Sequence, residues 1–243
     1  MRVRRSDLVR SLLRTFAVQG SWNYRSFLAA GMAYCLLPLL RRVHAGDPER
    51  LREAVERHQE PFNAHPYLAP MAVGALARME AEGRGAEEIG RARRAMSGPL
   101  GAAGDGMVWA GWRPACLLAA VAAFTLGAGP STAVLLFLLL YNAGHVVLRA
   151  WAFRRGWKDG PRAAAMLSGP GWRRLSAGLS RGAALLAGAA AALLAPAVVP
   201  GIGATLPAAA AVLAVAAGFF RPEAMGRAAP ALAAAALAAT VLL

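Results

Sequence analysis

Charge, and acidic charge above all, is scarce in this chain. Only 16% of the 243 residues are charged and 57% are hydrophobic, whereas a typical soluble domain has about 25% charged residues. The C-terminal part is the poorest, because residues 101–243 contain only three acidic side chains, those of Asp105, Asp159 and Glu223. This composition excludes an ordinary soluble domain.

Two long stretches contain no Asp, Glu, Lys or Arg. They are Pro114–Leu148, of 35 residues, and Gly182–Phe220, of 39 residues, and a shorter apolar run follows at Ala228–Leu243. About 20 apolar residues cross the hydrocarbon core of a bilayer, so each long stretch can hold one tilted span or a hairpin of two spans. The sequence predicts an all-α, polytopic integral membrane protein whose helices are broken or re-entrant where Gly and Pro interrupt them.

Cysteine is also scarce, and the common enzyme motifs are missing. Cys35 and Cys116 are far apart in the sequence and lie in apolar surroundings, which predicts neither a disulfide nor a metal pair. The glycine-rich segment SGPLGAAGDG lacks the Lys-Ser/Thr ending of a phosphate-binding loop. We therefore expect no metal, no cofactor and no catalytic residue. A membrane enzyme that relies on isolated His and Asp residues is the weakest alternative.

Basic residues are plentiful, and 26 of the 27 are arginines, giving a net charge of +14. They concentrate in the N-terminal arm and in the loop RRGWKDGPR, which follows the first charge-free stretch. Basic flanks beside membrane spans are expected from the positive-inside rule. No aromatic and basic recognition module accompanies the charge, so we expect no nucleic-acid partner.

Local sequence patterns divide the chain into two regions of a single functional unit. Residues 1–100 are predicted to form amphipathic and interfacial helices, and residues 101–243 are predicted to form the membrane-spanning helices. Helical spacing of Leu8, Leu12, Leu13 and Phe16 predicts an amphipathic N-terminal helix. We expect helices to begin at Asp47-Pro48 and at Pro66, and a short polar helix to cover Glu87–Met96. The glycines of SGPLGAAGDG predict no regular helix there, and Gly127–Pro130 predicts a break. A second pair of spans is expected in Gly182–Phe220.

A few polar residues lie within or beside the apolar segments, where each must be satisfied by protein or by a water-filled cavity. Broken membrane helices are common places for substrate, because freed backbone groups and helix ends can bind polar ligand atoms. Each residue also has a structural alternative, as a helix cap, a hydrogen-bonded turn residue or an interhelical contact. The candidates for substrate binding or gating are Asn63, His65, Glu80, Asp105 and Asn142.

The order of several motifs resembles a known family. The motifs are WNYRSFLAAGMAYCLLPLL, ERHQEPFNAHPYLAP, GALARME, SGPLGAAGDGMVWAGWRP and LFLLLYNAGHVVLRAWAFRRGWKDG. This series, over Trp22–Gly160, is similar to the IID subunit of the mannose/fructose/sorbose family of sugar phosphotransferase systems. Several motifs in the same order make the resemblance more specific than any one of them.

The resemblance implies a mechanism. A IID subunit pairs with a membrane IIC subunit to form the pathway for a hexose-type sugar, and the cytoplasmic IIA and IIB phosphocarriers supply the phosphoryl group that phospho-IIB transfers to the sugar. IID carries no phosphorylated residue of its own, so His65 is not expected to be a phosphocarrier. The resemblance further implies a trimer of IIC–IID pairs and a multi-pass location in the bacterial inner membrane.

The chain departs from the family pattern at identifiable positions. Ala64 replaces a Thr in the family's FNTHPY, and Ser97 replaces a Met in MGPLAGIGD. The family's longer polar element after Gly160 is represented only by AVVPGIGATLP, at Ala197–Pro207, in a short Ala-rich region. That region leads to a second hypothesis, in which the chain is a reduced, non-transporting scaffold or regulatory subunit of an incomplete phosphotransferase system.

Overall fold

The computed structural model describes the backbone of residues 3–198 and the side chains of residues 3–190. Over this part the chain is helical and forms no strand, as the composition predicted. The α-helices are α1 (Arg5–Arg14), α2 (Ala29–Val43), α3 (Pro48–His58), α4 (Ala69–Ala81), α5 (Ala86–Met96), α6 (Pro99–Gly104), α7 (Arg113–Thr125), α8 (Pro130–Asp159) and α9 (Pro170–Val198). A π-helix occupies Asp105–Trp112, and 3-10 helices occupy Thr15–Ala17 and Gly160–Ser168.

The described helices fall into two compact units. The first contains the residues up to Trp109 together with Asn142–Ser176, and the second contains Ala110–Tyr141 together with the chain from Ala177 onward. Both units therefore draw on distant parts of the sequence. The division at residue 100, which came from composition and function, stays a prediction.

The core of the first unit is built on α2 and α4. Nearly every residue of α4 is buried, because the sequence APMAVGALARMEA is apolar or small up to Arg78. The buried face of α2 follows helical spacing and presents Met32, Leu36 and Leu39. The predicted amphipathic helix is α1, which packs Leu8 and Leu12 against this core while Leu13 remains largely exposed.

Glycines allow α8 to approach α4 closely. A Cβ atom on Gly156 would lie 2.0 Å from the carbonyl oxygen of Met71, and one on Gly74 would lie 2.3 Å from the carbonyl oxygen of Phe153. Small residues at membrane helix interfaces have this effect, because the backbones can then touch. The prediction that RRGWKDGPR is a loop is therefore wrong, because its residues up to Asp159 belong to α8 and Gly156 makes a helix crossing.

Local capping signals place α3 as predicted. Asp47 precedes the helix, and its carboxylate accepts a hydrogen bond of 3.0 Å from the amide of Arg50, while Pro48 occupies the first helical position. The next helix, in contrast, begins later than predicted. Pro66 opens a turn in which the amides of Leu68 and Ala69 both bond to the carbonyl of His65, and α4 proper starts at Ala69.

The prediction that SGPLGAAGDG has no regular helix is wrong. Gly98 takes a φ of +87°, which glycine adopts without a steric penalty, and Pro99 then begins α6. The helix continues into the π-helix at Asp105 and on into α7. The glycines are used for close contact, since a Cβ on Gly104 would lie 2.2 Å from the Cβ of His65. Tertiary packing here outweighs the low helix propensity of glycine.

In the second unit the break at Gly127–Pro130 is confirmed. Helix α7 ends at Thr125, Gly127 takes a φ of +101°, and α8 starts at Pro130. Two helical stretches, Ala86–Thr125 and Pro130–Ser168, are long and apolar enough to cross a membrane. Large apolar side chains on α8 are exposed, among them Leu139 at 68%. Within Gly182–Phe220 the structure describes only the part up to Val198, so the predicted turn between two spans, most of Ala197–Pro207 and the run Ala228–Leu243 lie outside the described residues.

Candidate functional site

The segment FNAHPY, at Phe62–Tyr67, connects α3 to α4 and is held at its start by a buried arginine. Arg93 of α5 is 1% exposed, and its guanidinium donates to the carbonyls of Pro61 at 3.1 Å, His58 at 3.3 Å and Glu60. The same group lies over the ring of Phe62, 5.0 Å from its centroid. One side chain thus fixes the path of the backbone into the segment.

Asn63 is held through its backbone. Its amide donates to the hydroxyl of Ser97 at 3.0 Å, and its carbonyl accepts from the amide of Gly98 at 2.8 Å. The side chain of Asn63 is exposed and does not cap α4, whose N-cap residue is Leu68. Ser97, which replaces the family's methionine, therefore supplies a polar anchor for the segment.

His65 is buried with one of its two ring nitrogens unsatisfied. Nδ1 accepts a hydrogen bond of 3.2 Å from the amide of Tyr67, so the proton of the neutral ring lies on Nε2. The side chain is 2% exposed, and Nε2 has no hydrogen-bond partner among the described residues. A buried donor without an acceptor costs roughly 1–3 kcal/mol, and a ligand or a water is the usual reason for one in a native protein.

Burial also fixes the charge of His65. Burial, reinforced by the positive charge of Arg149, lowers the pKa of His65 from its ordinary value of 6.5 to about 4. At neutral pH the ring is therefore uncharged and offers one donor. Gly104 of α6 lies directly against the base of this side chain, so the ring has little freedom to turn away.

Aromatic and cationic side chains surround His65, and we call this group the Tyr67 cluster. It consists of His65, Tyr67, Trp109, His145, Arg149 and Phe16. The centroid of the Tyr67 ring lies 5.0 Å from that of His65, 6.0 Å from that of Trp109 and 4.9 Å from that of His145. The ring of Trp109 lies 4.8 Å from that of His65. Aromatic rings with a few polar groups are the side chains that commonly line small-molecule sites.

Arg149 brings a positive charge into the Tyr67 cluster. It is 4% exposed, lies 4.8 Å from the ring centroid of Tyr67 and 5.1 Å from that of Phe16, and donates to the backbone carbonyl of Thr15. Arginine stacks well on aromatic faces. The guanidinium therefore ties α8 to the N-terminal segment and faces two rings of the cluster.

Asn142 borders the Tyr67 cluster through His145. The two residues are three apart on α8, and Nε2 of His145 lies 3.1 Å from Oδ1 of Asn142. Both belong to the first compact unit. The side chain of Asn142 is exposed, so it has surface available for a further contact.

Asp105 lies one helical turn before Trp109, at the first position of the π-helix. Its carboxylate is exposed and forms no hydrogen bond or ion pair with another described residue. Asp105 does not act as an N-cap, because its φ of −60° and ψ of −47° are helical and the helix runs through it. π-helical turns are frequent at functional sites, which agrees with the position of this segment beside His65.

Glu80 lies in a separate, closed group of side chains. It is 3% exposed, and its oxygens lie 2.8 Å from Nε2 of His58, 2.8 Å from the guanidinium of Arg57 and 3.4 Å from Nε2 of His44. Burial raises the pKa of Glu80, but the hydrogen bonds and charges of His58 and Arg57 outweigh it and lower the pKa to about 2. The carboxylate is thus ionised and fully engaged by protein groups.

The comparisons with known proteins agree with this motif order. The family model described as the mannose/fructose/sorbose family IID component of the phosphotransferase system matches residues 2–200. This chain belongs to that IID family. Over 180 residues it is 31% identical to the mannose-specific EIID component of Escherichia coli, a match that covers 72% of this chain and 63% of the relative. It is 28% identical to the fructose permease IID component of Bacillus subtilis, over 74% of this chain and 66% of that relative.

Solved structures give the same result for the fold of this IID chain. A cryo-electron microscopy structure of the mannose transporter ManYZ in complex with a microcin matches it with a TM-score of 0.61 and 26% identity, over 77% of this chain and 70% of the other. A second structure, of a membrane protein, gives a TM-score of 0.68 and 27% identity, over 78% and 70% of the two chains. The predicted helical membrane fold is confirmed.

Sequence reasoning missed several residues of the candidate site. The sequence places Arg93 in a polar helix and gives no reason to select it, and Arg149 is not among the predicted site residues. A signal did exist for Arg149, because it is the first charged residue after 35 uncharged ones, and a charge within a membrane helix indicates function by default. The role of Trp109 could not be read from the sequence, since its contact with His65 joins segments more than 40 residues apart.

Among the described residues of the IID chain, no group of three or more His, Cys, Asp or Glu side chains could hold a metal ion. The Tyr67 cluster offers hydrogen bonding, aromatic stacking and the positive charge of Arg149.

Proposed function

We propose that this chain is the IID subunit of a mannose-family permease and that the Tyr67 cluster contributes to the pathway of a hexose-type sugar. In this proposal the chain acts with a IIC membrane subunit, and phospho-IIB, recharged by IIA, phosphorylates the sugar on the cytoplasmic side. The observation that carries the proposal is the unpartnered donor of His65, which is buried among aromatic rings in the segment FNAHPY that belongs to the family motif.

The chemistry of the Tyr67 cluster suits a sugar. A hexose presents hydroxyl oxygens that accept hydrogen bonds and C–H faces that pack on aromatic rings. Neutral His65 offers a hydrogen-bond donor at Nε2. The ring centroids of Tyr67 and Trp109 lie 5.0 Å and 4.8 Å from the centroid of the His65 ring. An uncharged donor is well suited to a neutral ligand, because a buried cation would have to give up water without gaining a counter-charge.

Asn63, Asp105 and Asn142 are proposed as further polar contacts or gating residues. Asn142 contacts His145 of the Tyr67 cluster, Asp105 lies four residues before Trp109, and Asn63 lies two residues before His65. The carboxylate of Asp105 accepts hydrogen bonds and the amides of Asn63 and Asn142 both donate and accept, which is the set of groups that sugar hydroxyls require. Glu80 is proposed to affect substrate binding or gating indirectly, without touching the sugar. Its charge is already neutralised by Arg57, and its ion pairs hold α3 against α4.

The phosphoryl transfer itself requires no residue of this chain. We propose that the phosphoryl group moves from a histidine of IIB to a sugar hydroxyl, whose proton is lost, so the bond broken is N–P and the bond formed is O–P. The Tyr67 cluster binds and orients the sugar before or during this step. The same proposal includes a multi-pass position in the bacterial inner membrane and a trimer of IIC–IID pairs.

Two substitutions at position 65 test the proposal, because each preserves a different half of the imidazole. In His65→Gln the side-chain amide can reach the position of Nε2 and donate, whereas in His65→Asn the amide oxygen can replace Nδ1 and accept from the amide of Tyr67. The measurement is uptake of radiolabelled mannose by cells that lack their own mannose permease and express this chain with its IIC, IIA and IIB partners.

If His65 donates to substrate, Gln retains part of the uptake while Asn lowers it by about ten-fold or more, at equal amounts of assembled IIC–IID complex. That factor corresponds to the loss of one hydrogen bond to a buried site. The opposite order, with Asn active and Gln inactive, would assign His65 to the turn and remove the main support for a sugar site. Wild-type complexes that assemble in the membrane but take up no sugar would favour the scaffold hypothesis.

A further inference from the structure

A groove lies between α1 and α8. None of the residues that line it belongs to the Tyr67 cluster. The groove has a volume of about 840 Å³ and lies entirely within the first compact unit. That volume is in the range of natural small-molecule sites, roughly 300–1,000 Å³. The walls of the groove are apolar, formed by Leu8, Val9 and Leu12 on α1 and by Val147 and Trp151 on α8.

Two of the wall residues are unusually exposed for apolar side chains. Val9 is 53% exposed and Val147 is 67% exposed. In water such a surface would be unfavourable by about 25 cal/mol for each Å². An apolar occupant is therefore needed, and the position of the groove on a helix that is long and apolar enough to cross a membrane restricts what the occupant can be.

One end of the groove is strongly basic. Arg154, Arg155 and Lys158 line it, all on α8. Arg155 shares its charge with Asp159, at 3.3 Å, but Arg154 and Lys158 form no ion pair with any residue among positions 3–190. Both side chains are exposed, and no acidic side chain lines the groove. The groove thus combines an apolar body with an unneutralised basic end.

The basic residues of the groove follow the uncharged part of α8, on the side where the helix leaves an apolar environment. The uncharged part of the helix ends at Leu148, and Arg154 and Lys158 follow six and ten residues later. At about 1.5 Å per residue they lie roughly 9 and 15 Å beyond the apolar part. Headgroup phosphates occupy the layer outside the hydrocarbon core, and basic pockets at membrane helices attract anionic headgroups.

We propose that this groove is a binding site for an anionic phospholipid. An acyl chain lies along the apolar walls, and the headgroup phosphate binds Arg154 and Lys158. The occupant is a lipid rather than a free phosphate, because most of the groove surface is apolar and would give a small anion nothing to bind. The lipid fixes the N-terminal helix α1 against α8.

The test uses the full chain, purified with its IIC partner, delipidated, and offered equimolar phosphatidylglycerol and phosphatidylcholine of the same acyl chains. Native mass spectrometry counts the lipids retained. We expect a preference of about ten-fold or more for phosphatidylglycerol, since each basic residue near the surface contributes a factor of about five. We expect the double variant Arg154→Gln/Lys158→Gln to lose most of this preference.

Two control variants separate the groove from general surface charge. Arg173→Gln/Arg174→Gln removes the same two charges from an exposed position on α9 and is expected to keep the preference. Ala150→Trp fills the groove without changing the charge and is expected to lose the bound phosphatidylglycerol.

Several results would overturn the proposal. Equal losses in the two charge variants would mean general electrostatic attraction, and an unaffected Ala150→Trp would mean that the groove is not the site. Displacement of the lipid by millimolar glycerol 3-phosphate would indicate a phosphate site for soluble anions. If Ala150→Trp releases IIC while the lipid count stays unchanged, the groove is a protein interface.

Discussion

The ionisation of His65 determines what the Tyr67 cluster can offer to a ligand. Its pKa in the folded chain is about 4, below the ordinary value of 6.5, because burial and the charge of Arg149 disfavour the imidazolium. A histidine with a depressed pKa stabilises the fold fully above pH 6.5, and this contribution is lost as the pH falls from 6.5 through 4. The neutral donor is thus available at every physiological pH.

Because His65 is neutral in the folded protein, we expect the stability of the protein to fall at acidic pH. We expect the free energy of unfolding of the purified chain in detergent to fall by about 3 kcal/mol between pH 6.5 and pH 4 on account of His65. The pKa of His58 is also lowered by burial, so this residue adds to the same fall in stability. Thermal unfolding followed by circular dichroism at several pH values measures it. A His65→Asn variant with an unchanged slope would contradict the assignment.

Glu80 provides a second test at the level of one residue. We expect Glu80→Gln to destabilise the chain by about 3 kcal/mol or more, because it removes the counter-charge of the partly buried Arg57 guanidinium and alters the buried hydrogen bond to His58. Its depressed pKa also means that the stability contributed by the carboxylate is present above pH 4.5 and is lost as the pH falls toward 2.

The matched control for Glu80 is Glu82, two residues later. Glu82 is partly exposed and pairs with Arg78 at 2.6 Å, and surface pairs of this kind contribute at most about 1 kcal/mol. The comparison uses the midpoint of thermal unfolding of both variants under the same conditions. Equal small shifts for Glu80→Gln and Glu82→Gln would show that the Glu80 group is not a buried, coupled network.

At the level of helices, the crossing of α4 and α8 depends on the absence of side-chain atoms. We expect Gly156→Ala to destabilise the first unit by about 1–3 kcal/mol or more, because the new Cβ would lie 2.0 Å from the carbonyl oxygen of Met71. Gly178→Ala in α9 is the control, since nothing lies within 4 Å of its Cβ. There alanine is expected to be neutral or stabilising by up to about 1 kcal/mol.

Unfolding of the two glycine variants in detergent measures the difference. A Gly156→Ala variant as stable as Gly178→Ala would mean that α4 and α8 do not touch through their backbones. The assay also bears on the site, because α8 carries Arg149 and His145 into the Tyr67 cluster.

The same helices show which parts of the fold could be predicted from the sequence. Helix α3 was predictable because its start is local, in the carboxylate of Asp47 and the ring of Pro48. Helix α6 was not, because the glycines that argue against a helix are the residues that allow contact with His65 and Ala64 from another segment. Helix α4 starts three residues later than predicted, because the carbonyl of His65 accepts hydrogen bonds from two amides in a turn that precedes the helix.

The candidate site could also be predicted only in part from the sequence. The segment FNAHPY and Asn142 stood out as polar residues in apolar surroundings, and the structure places Asn142 against His145, which belongs to the same cluster as His65. The unsatisfied Nε2 of His65 could not be foreseen, since it depends on the bond between Nδ1 and the amide of Tyr67. Glu80 fitted the same sequence criterion but lies in a closed ion group, because burial alone does not distinguish structural charges from functional ones.

At the level of the whole molecule, the chain has a surface that requires other molecules. Exposed leucines and valines run along α8, with Leu135 and Leu139 at 57% and 68%. Lipid and partner helices are the surroundings in which such a surface is stable. This is consistent with a IID protein working within a membrane complex, and the chain spans about 63% of the length of the Escherichia coli relative it matches.

The central claim is that this chain forms part of a sugar pathway coupled to phosphorylation. The most direct measurement is sugar phosphate formed inside proteoliposomes that contain the chain and IIC, with phospho-IIB enclosed and radiolabelled mannose outside. The account predicts internal mannose phosphate only when both membrane subunits are present, with a loss of about ten-fold or more in His65→Asn. Equal product without this chain, or none from an assembled and correctly oriented IIC–IID complex, would contradict it.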